Sequence, residues 1–144
     1  MKLKHVSLTV RDIDRLTWFY MEVFGCEIRR PLTVLSGAAF SKGNGLPGVK
    51  IRSAWLSLPG SDSFLELLEY SETAPRTRPR VNEPGWGHLS FAVPDIHQTC
   101  VQIIGHGGEW QGDITNLGSD TAPFLAIYMR DPEGNILELE QSAS

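Results

Sequence analysis

Two histidines and two glutamates occur at matching points of the sequence and carry its clearest chemical signal. His5 begins the stretch HVSLTVRDI and His88 begins HLSFAVPDI, while Glu66 and Glu138 each lie within a Leu-Glu-Leu motif. Imidazole nitrogens and carboxylate oxygens form a mixed donor set that suits a divalent metal such as Zn, Ni, Co, Mn or Fe. The sequence therefore predicts that these four side chains bind one divalent metal ion.

The two histidine stretches alternate polar and apolar residues, as half-buried strands do. Successive side chains of a strand point to opposite faces of the sheet. In HVSLTV the valines and the leucine share one face and His5 lies on the other, and HLSFAV places His88 in the same way. We expect the apolar face to pack on the following helix, which leaves each histidine on the far face.

Glu66 shares its strand face with Phe64, Leu68 and Tyr70. An unpaired carboxylate is expensive to bury among apolar side chains, because it loses its hydration. We therefore expect a positive group beside Glu66.

Both histidine stretches belong to a two-fold internal repeat of strands and one helix. The first half predicts a strand at HVSLTV, then an amphipathic helix with Asp12 as N-cap and Gly25 as its stop. Three further strands are predicted at CEIRR, KIRSAWLSL and SFLELLEY. The first half is thus interpreted as βαβββ.

The second half repeats this order. It predicts a strand at HLSFAV, a helix from about Asp95 to Ile104 that ends at Gly105, a short EWQG segment, and strands at FLAIYMR and NILELEQ around the turn DPEG. The fold class is therefore α+β, with two tandem βαβββ modules in a single domain over residues 1–144. Module 1 covers about 3–70, a proline-rich linker covers 71–86, and module 2 covers about 87–141.

Two segments rich in Gly, Ser, Asn and Asp, 37–48 and 112–122, are predicted as loops that form mobile walls of a site. Arginines in the linker and at the end of the second predicted strand suit a substrate carboxylate or phosphate, although solvated side chains are the favoured explanation. These are Arg76, Arg78, Arg80, Arg29 and Arg30. Pocket roles are open for Trp55, Trp86 and Trp110, but core positions are favoured for all three.

The overall charge narrows the class of partner. A formal charge of −4 argues against nucleic acid, and no segment has the apolar length of a signal peptide or a membrane span. We expect a cytoplasmic protein with a small-molecule partner, no nucleic acid and no membrane. Cys26 and Cys100 lie far apart among apolar neighbours, which favours buried free thiols.

Taken together, His5, Glu66, His88 and Glu138 in these contexts resemble the four-ligand set of the vicinal oxygen chelate superfamily. That superfamily includes glyoxalase I, methylmalonyl-CoA epimerase, extradiol dioxygenases, and fosfomycin and bleomycin resistance proteins. The resemblance covers about residues 3–141. It implies paired βαβββ modules that form a curved mixed sheet around one metal, open coordination positions for adjacent substrate oxygens, and a homodimer.

The complete His, Glu, His, Glu set is most similar to glyoxalase I. This implies a metal-dependent lyase or isomerase in which Glu138 and Glu66 move a proton next to a carbonyl. Where familiar glyoxalase I enzymes hold glutathione with Arg and Asn, this chain has Thr9 and Tyr70. An epimerase of the methylmalonyl-CoA type, an Fe(II) extradiol-type dioxygenase and a non-catalytic drug-sequestering protein remain as alternatives.

Overall fold

The computed structural model describes residues 1–143, and the chain divides into two compact units, Met1–Pro75 and Arg76–Ser144. Each unit is built on its own mixed sheet, and the described residues form three helices in all. The predicted α+β class is therefore confirmed. No helix within residues 1–143 is long and apolar enough to cross a membrane.

The first unit orders its four strands β1-β4-β3-β2, with β1 parallel to β4 and the other neighbours antiparallel. Its elements are β1 (His5–Thr9), α1 (Ile13–Phe24), β2 (Glu27–Ser36), α2 (Ala38–Asn44), β3 (Lys50–Ser57) and β4 (Phe64–Tyr70). As predicted, the Asp12 side chain accepts from the backbone N–H of Arg15, and Gly25 ends α1 with a positive φ of 64°.

Two expectations for this unit were wrong in extent. Strand β2 does not stop after CEIRR but continues through Pro31 to Ser36. Proline is tolerated there because β2 is an edge strand, where one row of backbone groups has no ladder partner. The segment 37–48, predicted as a loop, contains the helix α2, which ends at Gly45 with φ 68°. Two alanines and a phenylalanine begin this helix, and its glycine content concealed it.

The second unit orders its main strands β5-β9-β8-β6, and β7 pairs with β8 outside that path. Its elements are β5 (Leu89–Ala92), α3 (Ile96–Gly105), β6 (Glu109–Trp110), β7 (Thr115–Asn116), β8 (Phe124–Arg130) and β9 (Ile136–Ser142). Helix α3 begins where predicted, since the Asp95 carboxylate accepts from the Gln98 N–H at 2.9 Å. The segment 112–122 is mostly irregular, as expected, but holds the two-residue strand β7.

One side chain in each unit fixes the start of the long helix against the last strand. Glu69 on β4 accepts from the Ile13 N–H at 2.8 Å, and Gln141 on β9 accepts from the Ile96 N–H at 2.7 Å. Both bonds satisfy a backbone donor that the first turn of a helix leaves without a partner. Each helix is thereby held on the face of the sheet opposite to the histidine and glutamate.

Cys26 and Cys100 are free and buried, as predicted. Burial raises the pKa of each thiol from 9.0 to about 11, because the thiolate is the form that loses hydration.

Candidate metal centre

In the first unit, His5 and Glu66 form a pair on one face of the sheet. Parallel pairing of β1 with β4 sets Ser7 opposite Glu66 and His5 opposite Phe64, so all four side chains share that face. His5 Nε2 lies 3.4 Å from Glu66 Oε2. Along β1 the valine and leucine are half-buried and His5 is exposed, which confirms the predicted alternation.

The two carboxylate oxygens of Glu66 have different partners. Oε1 accepts from Trp55 Nε1 at 2.9 Å, and Oε2 accepts from Ser7 Oγ at 2.6 Å. The Glu66 side chain is only 14% exposed, so these donors offset part of its lost hydration. His5, when protonated, forms an ion pair with Glu66, and the expectation of a positive group beside this carboxylate remains a prediction.

An aromatic cluster supports this pair. The Phe64 ring stacks on the Trp55 ring at 4.5 Å between centroids and lies 5.0 Å from the imidazole of His5. Ring contacts restrict the rotamers of both residues that meet Glu66. Trp55 is half-buried and serves as a hydrogen-bond donor to the candidate ligand. Trp86 and Trp110, also expected in the core, are instead 76% and 52% exposed, because both lie in irregular or two-residue strand segments.

The second unit repeats the pair. Parallel pairing of β5 with β9 sets Ser90 opposite Glu138, and His88 Nε2 lies 3.0 Å from Glu138 Oε2. The His88 and Glu138 side chains are 33% and 16% exposed. Ser90 differs from its counterpart Ser7, since its hydroxyl donates to Glu140 Oε1 at 3.1 Å.

Tyr128 occupies the position in the second unit that Trp55 occupies in the first. It is the cross-strand partner of Glu138 on β8, and its ring meets the His88 ring edge to face at 5.1 Å. Burial raises the pKa of Tyr128, and the negative charge of Glu138, a hydrogen bond to that carboxylate and the charge of Glu140 raise it further. Tyr128 is therefore held as a neutral hydroxyl beside Glu138.

The turn between β8 and β9 fixes the register that pairs Tyr128 with Glu138. Asp131 is fully buried, and its carboxylate accepts from the backbone N–H groups of Glu133 and Asn135 and from the Asn135 side chain at 2.8 Å.

Two linker arginines bind side chains of the second unit. Arg76 donates to Asn135 Oδ1 at 2.8 Å, and Arg78 donates to Glu109 Oε2 at 2.6 Å. These two arginines donate to side chains of their own unit and remain exposed.

The donor chemistry of each pair fits a divalent metal. In both units the imidazole Nε2 and one carboxylate oxygen face each other within 3.4 Å, the atoms that bind zinc and related ions in proteins. Within residues 1–143, no three His, Cys, Asp or Glu side chains gather into a group that could hold a metal. Each unit thus contains one imidazole–carboxylate pair.

Sequence reasoning missed Ser7, Trp55 and Tyr128 as partners of the glutamates. The signal that was present is cross-strand register. Counting outward from the turn PGSD pairs Trp55 with Glu66, and counting from DPEG pairs Tyr128 with Glu138. Thr9 is exposed, and the Tyr70 hydroxyl donates to Asn44 Oδ1 at 3.1 Å.

Comparison with known proteins places these pairs in a family context. A family model described as the glyoxalase/bleomycin resistance protein/dioxygenase superfamily matches residues 2–139. A probable lactoylglutathione lyase of Synechocystis sp. is 24% identical over 100% of this chain and 98% of its own length. A lactoylglutathione lyase of Haemophilus influenzae is also 24% identical, over 100% of this chain and 95% of its own.

Solved structures share the fold. A glyoxalase family protein from Bacillus cereus has a TM-score of 0.89 at 21% identity, over 100% of this chain and 95% of its own. A fosfomycin resistance protein from Listeria monocytogenes has a TM-score of 0.64 at 16% identity, over 100% of this chain and 93% of its own. At these identities the likeness establishes the arrangement of strands and helices, and the chemistry must be argued from the site.

Proposed function

This chain belongs to the glyoxalase/bleomycin resistance protein/dioxygenase superfamily, and from that premise we propose that it is a metal-dependent lyase or isomerase of the glyoxalase type. The reaction is the transfer of a proton next to a carbonyl of a small substrate that chelates the metal through oxygen. The observation that carries this proposal is the repeated pair of imidazole Nε2 and carboxylate Oε2 at 3.4 Å and 3.0 Å.

We propose that His5, Glu66, His88 and Glu138 hold one divalent ion. When bound, the ion polarises the substrate carbonyl and so acidifies the neighbouring C–H bond. Glu66 is suited to bind through Oε2, because this is the oxygen that lies 3.4 Å from His5 Nε2. Ser7 then orients the ligating oxygen from the neighbouring strand.

Glu138, with Glu66 as its counterpart, is proposed to take the proton from carbon and return it to the adjacent atom. A base must be positioned within hydrogen-bond reach of the proton and must be partly desolvated. Glu138 is 16% exposed and has the neutral Tyr128 hydroxyl beside it. That hydroxyl stabilises the carboxylate form while the substrate binds.

Metal analysis and a small substrate panel test the proposal. We expect about one divalent metal per assembled site, and activity with either the glutathione hemithioacetal of methylglyoxal or methylmalonyl-CoA. His5→Ala removes an imidazole donor, and Glu138→Gln replaces the basic carboxylate by a neutral amide, so each should abolish turnover. His97→Ala, at an exposed position of α3, is the matched control and should retain metal and activity. Full activity of metal-free protein would contradict the proposal.

Relatives called lactoylglutathione lyase support lyase chemistry, while the substrate is the finer part of the proposal. Oxygen consumption with catechols in the Fe(II) form would instead support a ring-cleaving dioxygenase. Tight binding of fosfomycin or bleomycin by metal-free protein would support a drug-sequestering protein.

We further propose that the active form is a cytoplasmic homodimer. Sedimentation analysis tests the oligomeric state directly. Mixing His5→Ala with Glu138→Gln subunits then shows which chains supply the ligands. Sites built from one chain stay inactive in the mixture, whereas sites shared between two chains recover about a quarter of the wild-type activity.

A further inference from the structure

The structure contains a pair of arginines displayed beside the Glu66–His5 pair that the proposed reaction does not use. We propose that Arg29 and Arg30 form a subsite for an oxyanion of the substrate, either a carboxylate or a phosphate. This inference rests on the proposed function, because it assigns the substrate class of that same site.

A β-bulge turns both side chains to one face. Arg30 is the cross-strand partner of Trp55, and the pairing of β2 with β3 shifts between Ile28 and Arg30, which leaves Arg29 outside the ladder. In a regular strand these neighbours would point to opposite faces. Here the Arg30 guanidinium lies 4.5 Å from the centre of the Trp55 ring, and that of Arg29 lies 4.8 Å from the centre of the Phe64 ring. Bulges commonly re-aim side chains beside active sites.

Neither guanidinium is neutralised by the described part of the chain. No carboxylate of residues 1–143 lies within 4 Å of either group, and Arg29 donates only to the backbone oxygen of Asp62 at 3.2 Å. Arg52 on β3 provides the contrast on the opposite face of the same sheet. It donates to Glu69 at 2.9 Å and to Asp14 at 2.8 Å, as a structural arginine does.

A guanidinium that lies over a ring face can still donate from its N–H edge, and in Arg29 one Nη1 donor already binds the backbone oxygen of Asp62. That planar fork matches the two oxygens of a carboxylate or phosphate, and the ring face restricts its motion. The Phe64 and Trp55 rings stack on each other, each with one arginine over it, and Trp55 also donates to Glu66. One side-chain cluster therefore joins the arginines to the candidate metal ligands.

The spacing of the strands gives the distance between Arg30 and the candidate ligand Glu66, and this distance indicates the length of the substrate. Arg30, Trp55 and Glu66 are consecutive cross-strand partners, so the backbones of Arg30 and Glu66 are two strand spacings apart, about 10 Å. The substrate class is thus an acid or phosphate ester whose charged group is several bonds away from the reacting carbonyl. A neutral aldehyde or ketone would leave both arginines without a ligand.

Nuclear magnetic resonance of the full chain tests this subsite with inorganic phosphate and succinate as separate probes at constant ionic strength. We expect saturable shifts of the Arg29 and Arg30 Nε–H signals and of the Trp55 indole N–H signal. Stronger binding of succinate identifies a carboxylate site, and stronger binding of phosphate identifies a phosphate site. Arg29→Gln and Arg30→Gln should each weaken the preferred probe about tenfold.

Controls separate a built subsite from general charge. Arg15→Gln removes the same charge from an exposed position of helix α1 and should leave both affinities unchanged. Arg30→Lys keeps the charge but lacks the planar fork, and should bind the probe more weakly than the wild type. Equal weakening by Arg15→Gln, or unchanged binding in both glutamine variants, would overturn the proposal.

Metal titration distinguishes failure of this inference from failure of the proposed function. Both arginine variants should bind the divalent ion with wild-type affinity, because neither side chain is a proposed ligand. A protein that binds the probe through Arg29 and Arg30 but takes up no metal refutes the enzymatic proposal alone. A protein that takes up metal and binds neither probe refutes the subsite alone.

Discussion

Trp55 Nε1 donates a 2.9 Å hydrogen bond to Glu66 Oε1, and the two residues are direct cross-strand partners on β3 and β4. Tyr128 stands opposite Glu138 in the same way on β8 and β9. In each unit the glutamate therefore has an aromatic partner on the antiparallel neighbouring strand. The histidine lies at the start of the parallel neighbouring strand or directly before it. Indole and phenol are large, rigid donors, so they orient a carboxylate without supplying a competing positive charge.

Trp55→Phe keeps the ring stacked on Phe64 and removes only the indole donor. We expect the affinity for the divalent ion to fall by about tenfold, as is typical when the hydrogen-bond partner of a ligand is removed. Isothermal titration with Zn²⁺ or Ni²⁺ measures this. Trp110→Phe, at a 52% exposed position on β6, is the matched control and should bind metal like the wild type. Equal affinities for both variants would show that Trp55 does not orient Glu66.

Glu69 and Gln141 test a different role of the same strands. Glu69 caps α1 and also binds Arg52, whereas Gln141 caps α3 through its amide oxygen alone. We expect Glu69→Gln to keep the cap but lose the ion pair with Arg52, and so to cost less than Glu69→Ala, which loses both and lowers the free energy of unfolding by about 2 kcal/mol. Urea denaturation distinguishes the variants. Glu72→Gln, at an exposed position after β4, should leave stability unchanged.

A destabilisation of Glu69→Gln as large as that of Glu69→Ala would mean that charge, not the cap, carries the effect. The repeat argues against this outcome, because the amide of Gln141 performs the same capping in the second unit at 2.7 Å.

The alternation of strands and the helix caps could be predicted from the sequence because both depend on near neighbours. Asp12, Asp95 and Gly25 act where expected, and His5 and Glu66 share the predicted face. The shared face follows from the alternation of side chains along a strand. The caps follow from the backbone N–H and C=O groups that lack intrahelical partners at helix ends. Local pattern is sufficient for them.

The features that escaped prediction depend on pairing between distant segments. The contact of Trp55 with Glu66 requires the register of β3 on β4, and the common face of Arg29 and Arg30 requires a bulge in β2. A shift of one residue in register would turn every side chain of a strand to the other face. Helix α2 was missed because it is short and lies between Gly37 and Gly45, so that the segment resembles a loop.

Ser53 carries a buried hydroxyl that no described residue satisfies. It is fully buried on β3, on the same face as Trp55, and its Oγ has no hydrogen-bond partner among residues 1–143. Burial of such a group costs about 1–3 kcal/mol. Ser53→Ala should therefore raise the free energy of unfolding by about 1 kcal/mol. Ser57→Ala, a half-buried position on the same strand face, should change it little, and a destabilised Ser53→Ala would show that the hydroxyl has a partner.

The buried thiols make stability depend on alkaline pH. Burial raises the pKa of Cys26 and Cys100 from 9.0 to about 11, so both stay neutral in the folded protein while the unfolded chain ionises above pH 9. A folded-state pKa above the unfolded value gives stability that is complete below pH 9 and is lost as the pH rises from 9 to 11. Urea denaturation across that interval should show a steeper loss for the wild type than for the Cys26→Ala/Cys100→Ala variant. The double variant starts from a lower stability, because two core side chains are truncated, and only the slopes are compared. Parallel slopes would mean that the thiols do not titrate differently in the two states.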